Sequence, residues 1–355
     1  MPTSLTVAVT GAAGYLGGRV IRELCADPSV GKVLGFDLRA PEISDPKFVF
    51  DSVDVRDTAI EARFAGVDVV VHLAFIMDPI HDEAEMRDVN VNGSQNVFRA
   101  AGKAGVKKVV YTSSAVAYGA HPDNDVPLTE DSPLRANLDF SYAAHKLEVE
   151  YVVKEIQDEY PALTFVVFRP AIVFGPNVDN AWSHSMELPI LFTIQGYRSP
   201  LQFVHEDDVC RALHFGVTQE GLDGPYNLSP DDWVEFDELM SVTGRRRIQL
   251  PEPVAFSMVD RMWAMNLAEA PSGMLHYVMH PWVLSSKRLQ EAGFTFTRSA
   301  KETFTEAATI SAGYVRIGRK RVDRDKMTKG AIAGVGAIAA LVTLRTAKKH
   351  LFAAR

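Results

Sequence analysis

The chain has 355 residues, of which 47% are hydrophobic and 23% charged, and its formal net charge is −8. This is the composition of a folded globular enzyme, and the length suits one large α/β domain with a smaller one attached. The acidic balance offers no sustained cationic surface, which speaks against nucleic acid as a partner. Only two cysteines occur, Cys25 and Cys210, far apart and in no metal-like spacing; neither a disulfide scaffold nor a metal site is expected.

In chain order, a strand is predicted over 5–10, a helix over 15–25 and strands over 32–37, 48–51 and 67–73. A helix over 87–105 follows, then a strand over 108–113, a helix over 142–159 and a strand over 164–169. The strands are continuous Val/Ile/Leu runs such as Val67-Asp68-Val69-Val70-Val71. Strands covered on both faces read this way, and the alternation with helices implies a doubly wound parallel α/β sheet. After Pro176 the pattern loosens and Pro, Met and Trp become frequent. Residues 1–176 are therefore assigned to the main domain, with 203–230 returning to it. Residues 177–202 and 231–312 are assigned to a smaller substrate-side domain, and 313–355 to a basic, apolar tail. The first strand starts almost at once, with no basic start and removable apolar run before it, so a cytoplasmic protein is expected.

Gly11, Gly14 and Gly17 follow the first strand and open the first helix, with Tyr15 and Leu16 between them. Glycines there let the backbone turn tightly and approach a pyrophosphate, which the free N–H groups of the helix start favour. Asp37 closes the second strand, where a carboxylate can accept both ribose hydroxyls and repel a 2′-phosphate; this favours NAD. Arg39, two residues on, could pair with a 2′-phosphate instead. Asp54 and Val55 follow the third strand, where they could hold an adenine or form a charged loop end. Tyr142 and Lys146 are four apart and so share a helix face. A phenol beside an ammonium can act as a proton shuttle if its pKa is lowered. Ser113 and Ser114 end the fifth strand, where open parallel sheets bind ligands.

These residues resemble the extended short-chain dehydrogenase/reductase family, the NAD-dependent epimerase/dehydratase group. The glycine loop, Asp37, His72-Leu73-Ala74, Asn90 to Ser94, Ser114 ahead of Tyr118-Gly119, and Tyr142/Lys146 match its pattern. So do Arg169-Pro170, Phe174-Gly175-Pro176 and the run Phe203 to Val209, and the resemblance spans about residues 5–310. It implies a Rossmann-type fold, an NAD cofactor and a small-molecule substrate. By resemblance Tyr142 is the proton shuttle, Lys146 tunes it and holds the nicotinamide ribose, and Ser114 hydrogen-bonds the reacting oxygen. Leu73 and Ala74 would line the cofactor, Asn90 would support the neighbouring loop, and Pro170 would pack near the nicotinamide. His145 is read as an ordinary helix residue.

The sequence departs from the nucleotide-sugar members of the family before Phe203. Their Gly-Asp-Gly run is missing, and Gln202 stands where they carry an acid. A dehydrogenase/reductase acting on an alcohol or ketone, apolar or steroid-like, is therefore the leading expectation. An epimerase or dehydratase that retains its cofactor, and a non-catalytic NAD-binding sensor, are the alternatives. Gly330–Leu344 is an uninterrupted run of Gly, Ala, Ile, Val, Leu and one Thr, bracketed by basic residues from Arg319 to Arg355. As a helix it would reach ~22 Å, short of the ~30 Å hydrocarbon core of a bilayer. Peripheral membrane contact, a homodimer contact through its small residues, and a plain soluble tail are the open readings.

Overall fold

The computed structural model describes residues 4–188, 190–317 and 320–324. The apolar run Gly330–Leu344 lies outside them. The first half builds β1 (Leu5–Thr10), α1 (Tyr15–Ala26), β2 (Val30–Asp37), β3 (Phe48–Ser52), α2 (Ile60–Arg63) and β4 (Val69–His72). Then come α3 (Glu83–Arg87), α4 (Gly93–Ala104), β5 (Lys108–Thr112), α5 (Ser141–Glu159) and β6 (Thr164–Pro170). The second half contributes β7 (Ile172–Phe174), α6 (Ala181–Met186), β8 (Ile190–Ile194), β9 (Phe203–His205), α7 (Glu206–Thr218) and β10 (Gly224–Leu228). It continues with α8 (Phe236–Thr243), β11 (Arg246–Leu250), α9 (Glu252–Ala264), α10 (His276–Met279), α11 (Lys287–Glu291) and α12 (Ala300–Ala312). A hairpin of β12 (Tyr314–Ile317) and β13 (Lys320–Asp323) begins the segment read as a tail.

Seven strands form one sheet in the order β10-β6-β5-β4-β1-β2-β3, and every pairing in it is parallel. The doubly wound α/β sheet expected from the Val-rich runs is present. Both faces are covered. On one, Val7, Val9, Val20, Ile21 and Leu24 pack with Val209 and Leu213 of α7. On the other, Ala8 and Val70 meet Val97 and Phe98 of α4 and Val149, Val153 and Ile156 of α5. Strand order reverses at β1, which pairs with β2 on one side and β4 on the other. The crevice between the carboxyl ends of β1 and β4 is therefore the place such sheets reserve for ligands.

The predicted helix over 87–105 is broken. The chain is already helical at Glu83, passes through a π-helical turn at Asp88–Asn92 and resumes as α4, which Gly105 closes in the left-handed conformation (φ 75°). The extra residue of a π turn re-aims a side chain, and such turns gather at functional sites. Here the turn carries Asn90, and Ser94 just beyond it donates to the Asn90 carbonyl at 2.5 Å.

Beyond β6 the chain builds a third core in which Phe174, Phe203 and Phe304 stack and Tyr277 packs on Trp282. Strand β8 pairs in parallel with β11 as a two-stranded ribbon. Met186, Met279 and Trp282 of the Met/Trp-rich segments are core, whereas Met258, Met262, Trp263 and Met265 on or beside α9 stay partly or fully exposed. Both cysteines are free and buried. Among the described residues no helix is long and apolar enough to cross a membrane.

Candidate active site

The loop between β1 and α1 needs its glycines for room. A Cβ on Gly17 would stand 2.1 Å from the Gly11 carbonyl oxygen, and one on Gly14 3.0 Å from the same atom. Gly11 has φ 72°, and a Cβ there would strike the Ala74 nitrogen at 2.7 Å and the Leu73 carbonyl carbon at 2.8 Å. A side chain at Gly11 would push the loop off the chain leaving β4, and one at Gly14 or Gly17 would break the loop's own turn. Helix α1 starts at Tyr15 with no side-chain cap and no acid in its first turn, so its N–H groups remain available to an anion. Asp37 reaches the loop from the end of β2: its Oδ2 accepts the Ala13 N–H at 3.0 Å and its Oδ1 the Arg39 N–H at 3.2 Å. Leu16 packs into the core beneath, while Tyr15 and Arg39 are exposed. A tight glycine cradle, an uncapped helix start and a strand-end carboxylate fit a dinucleotide.

Asp54 and Val55 are placed differently from each other. The Asp54 carboxylate is engaged by Arg56 at 2.7–3.2 Å, and these hydrogen bonds hold its pKa below the usual carboxylate range. Val55 is buried against Gly93. At the head of the crevice, buried His72 bridges two elements: Nδ1 pairs with Thr10 Oγ1 at 2.7 Å and Nε2 with Ser94 Oγ at 2.9 Å. Burial pushes its pKa down to about 3, so it is neutral and acts as a strut between β1 and α4. Asn90 accepts the Ile76 N–H at 2.6 Å and donates to the Ile76 carbonyl at 3.0 Å. It thereby fixes the chain leaving β4. His145 is buried, with Nδ1 3.4 Å from Asn90 Nδ2.

Tyr142 and Lys146 stand one turn apart on α5, with Lys146 Nζ 5.8 Å from the Tyr142 ring centre. Lys146 is buried. Its ammonium donates to the Thr112 carbonyl at 2.7 Å and lies 3.5 Å from the centre of the Phe75 ring. Burial pulls its pKa down to about 7, against the opposing pull of Glu150 one turn further along α5. Burial also pushes the Tyr142 phenol up to about 12; the Ser114 hydroxyl beside it acts the other way, and Asp78 adds to the rise. Ser114 caps the short turn after β5 by accepting the Val116 N–H at 3.3 Å. Ser113 is buried on the strand side, its N–H bonded to the Phe168 carbonyl. The structure thus brings Ser114, Tyr142 and Lys146 together at the carboxyl end of β5. Pro170 ends β6 next to Leu228 of β10.

Three contributors escaped the sequence reading. Phe75 follows His72-Leu73-Ala74 directly, and nothing in its spacing announces a ring over an ammonium. Glu150 continues the 142/146 stripe, which was a usable signal. Its carboxylate forms a two-bond fork with buried Arg169, at 2.9 Å for each bond. Arg169 also donates to the Tyr118 hydroxyl at 2.7 Å, which donates onward to Asn227 at 2.8 Å. Asp78 lies near Glu269, His184 and Asp179, charged groups that are paired among themselves. His184 is held between Glu269 (2.6 Å) and Asp179, and Arg316 lies 3.4 Å from Glu187. Burial opposes charge on His184, but its hydrogen bonds to the two carboxylates prevail and raise its pKa. Gln202 is buried and committed to the scaffold, donating to Pro230 and Leu284 carbonyls and accepting the Leu284 N–H.

Comparison with known proteins finds relatives over most of the chain. An uncharacterized protein of Mycobacterium tuberculosis is 27% identical over 312 residues, covering 84% of this chain and 82% of its own. Dihydroflavonol 4-reductase of Callistephus chinensis is 25% identical over 329 residues, 85% of each chain. The structure of the dTDP-glucose 4,6-dehydratase DesIV of Streptomyces venezuelae, solved with NAD bound, superposes with a TM-score of 0.66. It shares 21% identity and covers 86% of this chain and 96% of the dehydratase. The NAD dependent epimerase/dehydratase family model matches residues 7–229, more than half of the chain, and the protein is a member of that family of NAD-dependent oxidoreductases.

Proposed function

We propose that the protein interconverts a secondary alcohol and a ketone on a small, largely apolar molecule, using NAD(H). The observation that carries the reading is the meeting of Ser114, Tyr142 and Lys146 at the same carboxyl edge of the sheet as the glycine cradle. When bound, the cofactor supplies or accepts the hydride at the carbinol carbon. In the reductive direction Ser114 holds the carbonyl oxygen, and the Tyr142 hydroxyl gives its proton to that oxygen as the C–H bond forms. A phenol with a pKa of about 12 is fully protonated near neutrality and ready to act as the acid. Oxidation needs the phenolate, which a Lys146 ammonium one turn away on α5 would favour. Gly11, Gly14, Leu16, Gly17, Asp37, Leu73, Ala74 and Pro170 form the walls of the cofactor site in this reading, with Asn90 holding the loop beside it.

Two features support an apolar substrate. Gln202, at the position where nucleotide-sugar enzymes carry an acid, is consumed by the scaffold. The rim cations His184 and Arg316 are already matched by carboxylates, so they offer little to a diphosphate. A second reading, an epimerase or dehydratase that regenerates its cofactor, is favoured by the likeness to the dTDP-glucose dehydratase fold. The nicotinamide absorbance followed over apolar ketones, sterols and nucleotide sugars separates the two. Net NADH consumption on an apolar ketone supports the proposal; turnover of a nucleotide sugar with no net change in the cofactor overturns it.

A further inference from the structure

The structure assigns a membrane-docking face to the β8–β11 ribbon and α9, with an anionic bilayer surface as the partner. The ribbon carries it first. Phe192 of β8 is the register partner of Ile248 of β11. On the same face of the ribbon, two residues along each strand, Ile194 and Leu250 are covered by Ala255 and Phe256 of α9. The cover stops there. Helix α9 then turns its other side outward, where Val254, Met258, Met262 and Met265 follow the helical repeat, with Arg261 among them, around one open depression. Phe192, Ile248, Val254, Met265 and Leu267 leave between 43% and 65% of their surface in solvent. Exposed apolar side chains grouped on neighbouring elements in this way mark an interaction site.

What covers it is read from charge and from where the described chain ends. Arg324 donates to the Ala312 carbonyl, and its N–H to the Gly313 carbonyl. Arg245 binds the carbonyls of Ser311 and Tyr314 in the same corner. Arg245 immediately precedes β11 and is three residues from Ile248, roughly 10 Å along an extended strand. The described chain therefore ends in the corner that the Arg245 side chain reaches, at the start of the strand that carries Ile248. The 30 residues that follow Asp325 contain six Lys/Arg, no Asp or Glu, and the apolar run Gly330–Leu344. The net −8 is thus −14 before residue 326 and +6 after it. Exposed Arg246, Arg247 and Arg261 extend the same sign onto the folded face. A segregated cationic, apolar segment that follows the described fold, together with an apolar face on which exposed Arg246, Arg247 and Arg261 outnumber exposed Glu252 and Asp260, is complementary to anionic headgroups over hydrocarbon. Trp263 at the far end of α9 stacks on His81 at 4.1 Å, on the loop that carries Phe75 and Asp78. If the proposed activity holds, an apolar substrate reaches that loop directly from the bilayer.

The test uses the full chain without substrate or cofactor, so its outcome is independent of the activity reading. Co-sedimentation is measured with vesicles of phosphatidylcholine alone and of phosphatidylcholine mixed with phosphatidylglycerol. The wild-type chain is expected to bind the anionic vesicles and not the neutral ones. The double substitution Val254→Asp/Met265→Asp, at two exposed positions, is expected to weaken binding at least tenfold with an unchanged melting temperature. A dye on Met265→Cys, selective because Cys25 and Cys210 are buried, should shift to the blue on anionic vesicles only. Equal binding of the double variant would mean that the terminal segment binds alone, and it overturns the docking face, as does an unshifted dye. Concentration-dependent self-association of the wild type, abolished in the double variant, would make the occupant a second copy and likewise overturn the assignment.

Discussion

Glu150→Gln probes how the scaffold sets the chemistry of α5. Both partners of the Glu150–Arg169 fork are almost fully buried, and the two bonds are 2.9 Å each. The amide keeps the shape but sets an NH₂ against the guanidinium, so one bond of the fork is lost and the Arg169 charge is left uncompensated. Breaking a buried pair by removing one partner costs about 3–5 kcal/mol, and the surviving bond places this variant near the lower figure. At about 1.3 °C per kcal/mol for a chain of 355 residues, the melting temperature should fall by about 4 °C. The same carboxylate favours the Lys146 ammonium against the burial that draws its pKa to about 7. Without it the Lys146 pKa falls further, so the ammonium is lost at lower pH. In the reductive direction the high-pH limb of kcat/KM, which reports the free enzyme, should move to lower pH. Calorimetric melting and a kcat/KM profile between pH 5 and 9 (approximately the ordinary working range) read both effects. A variant that melts within about 2 °C of wild type and keeps its pH limb would refute the electrostatic role given to Glu150.

Gly17→Ala should abolish NAD binding, because the new Cβ would lie 2.1 Å from the Gly11 carbonyl oxygen; a calorimetric titration with wild-type affinity would show that the loop is not the cradle. Asp37→Ala should weaken NAD more than NADP. It also releases the Ala13 N–H that Asp37 accepts, so some loss for both cofactors is expected, and an unchanged NAD/NADP preference would transfer the selection to Arg39.

Local spacing was legible because it is local physics. Gly11, Gly14 and Gly17 betray a loop with no space for a Cβ, and the 142/146 interval is a helical turn whatever surrounds it. The Val-rich strands announced burial on both faces. What sequence could not supply are contacts made across the fold. The π turn at Asp88–Asn92 carries Asn90, which binds the backbone of Ile76, 14 residues earlier in the chain. Phe75 meets Lys146 across the crevice, and Arg169 answers Glu150 from a different element. Asp54 shows the converse: an acid at a strand end looks open in sequence, yet Arg56, only two residues on, closes over it. The ribbon of β8 and β11 is likewise invisible locally, since its strands are joined only after a long excursion through β9, α7, β10 and α8.

The claim at the centre is that Tyr142 moves the proton while hydride passes between cofactor and substrate. Tyr142→Phe keeps the ring and its packing against Phe75 and Phe140 and removes only the hydroxyl. On the ketone that the wild-type protein reduces, turnover of Tyr142→Phe should fall by about 10²–10⁴, with NADH affinity by calorimetry unchanged within about threefold, some 0.7 kcal/mol. Near wild-type turnover by the phenylalanine variant would contradict the account.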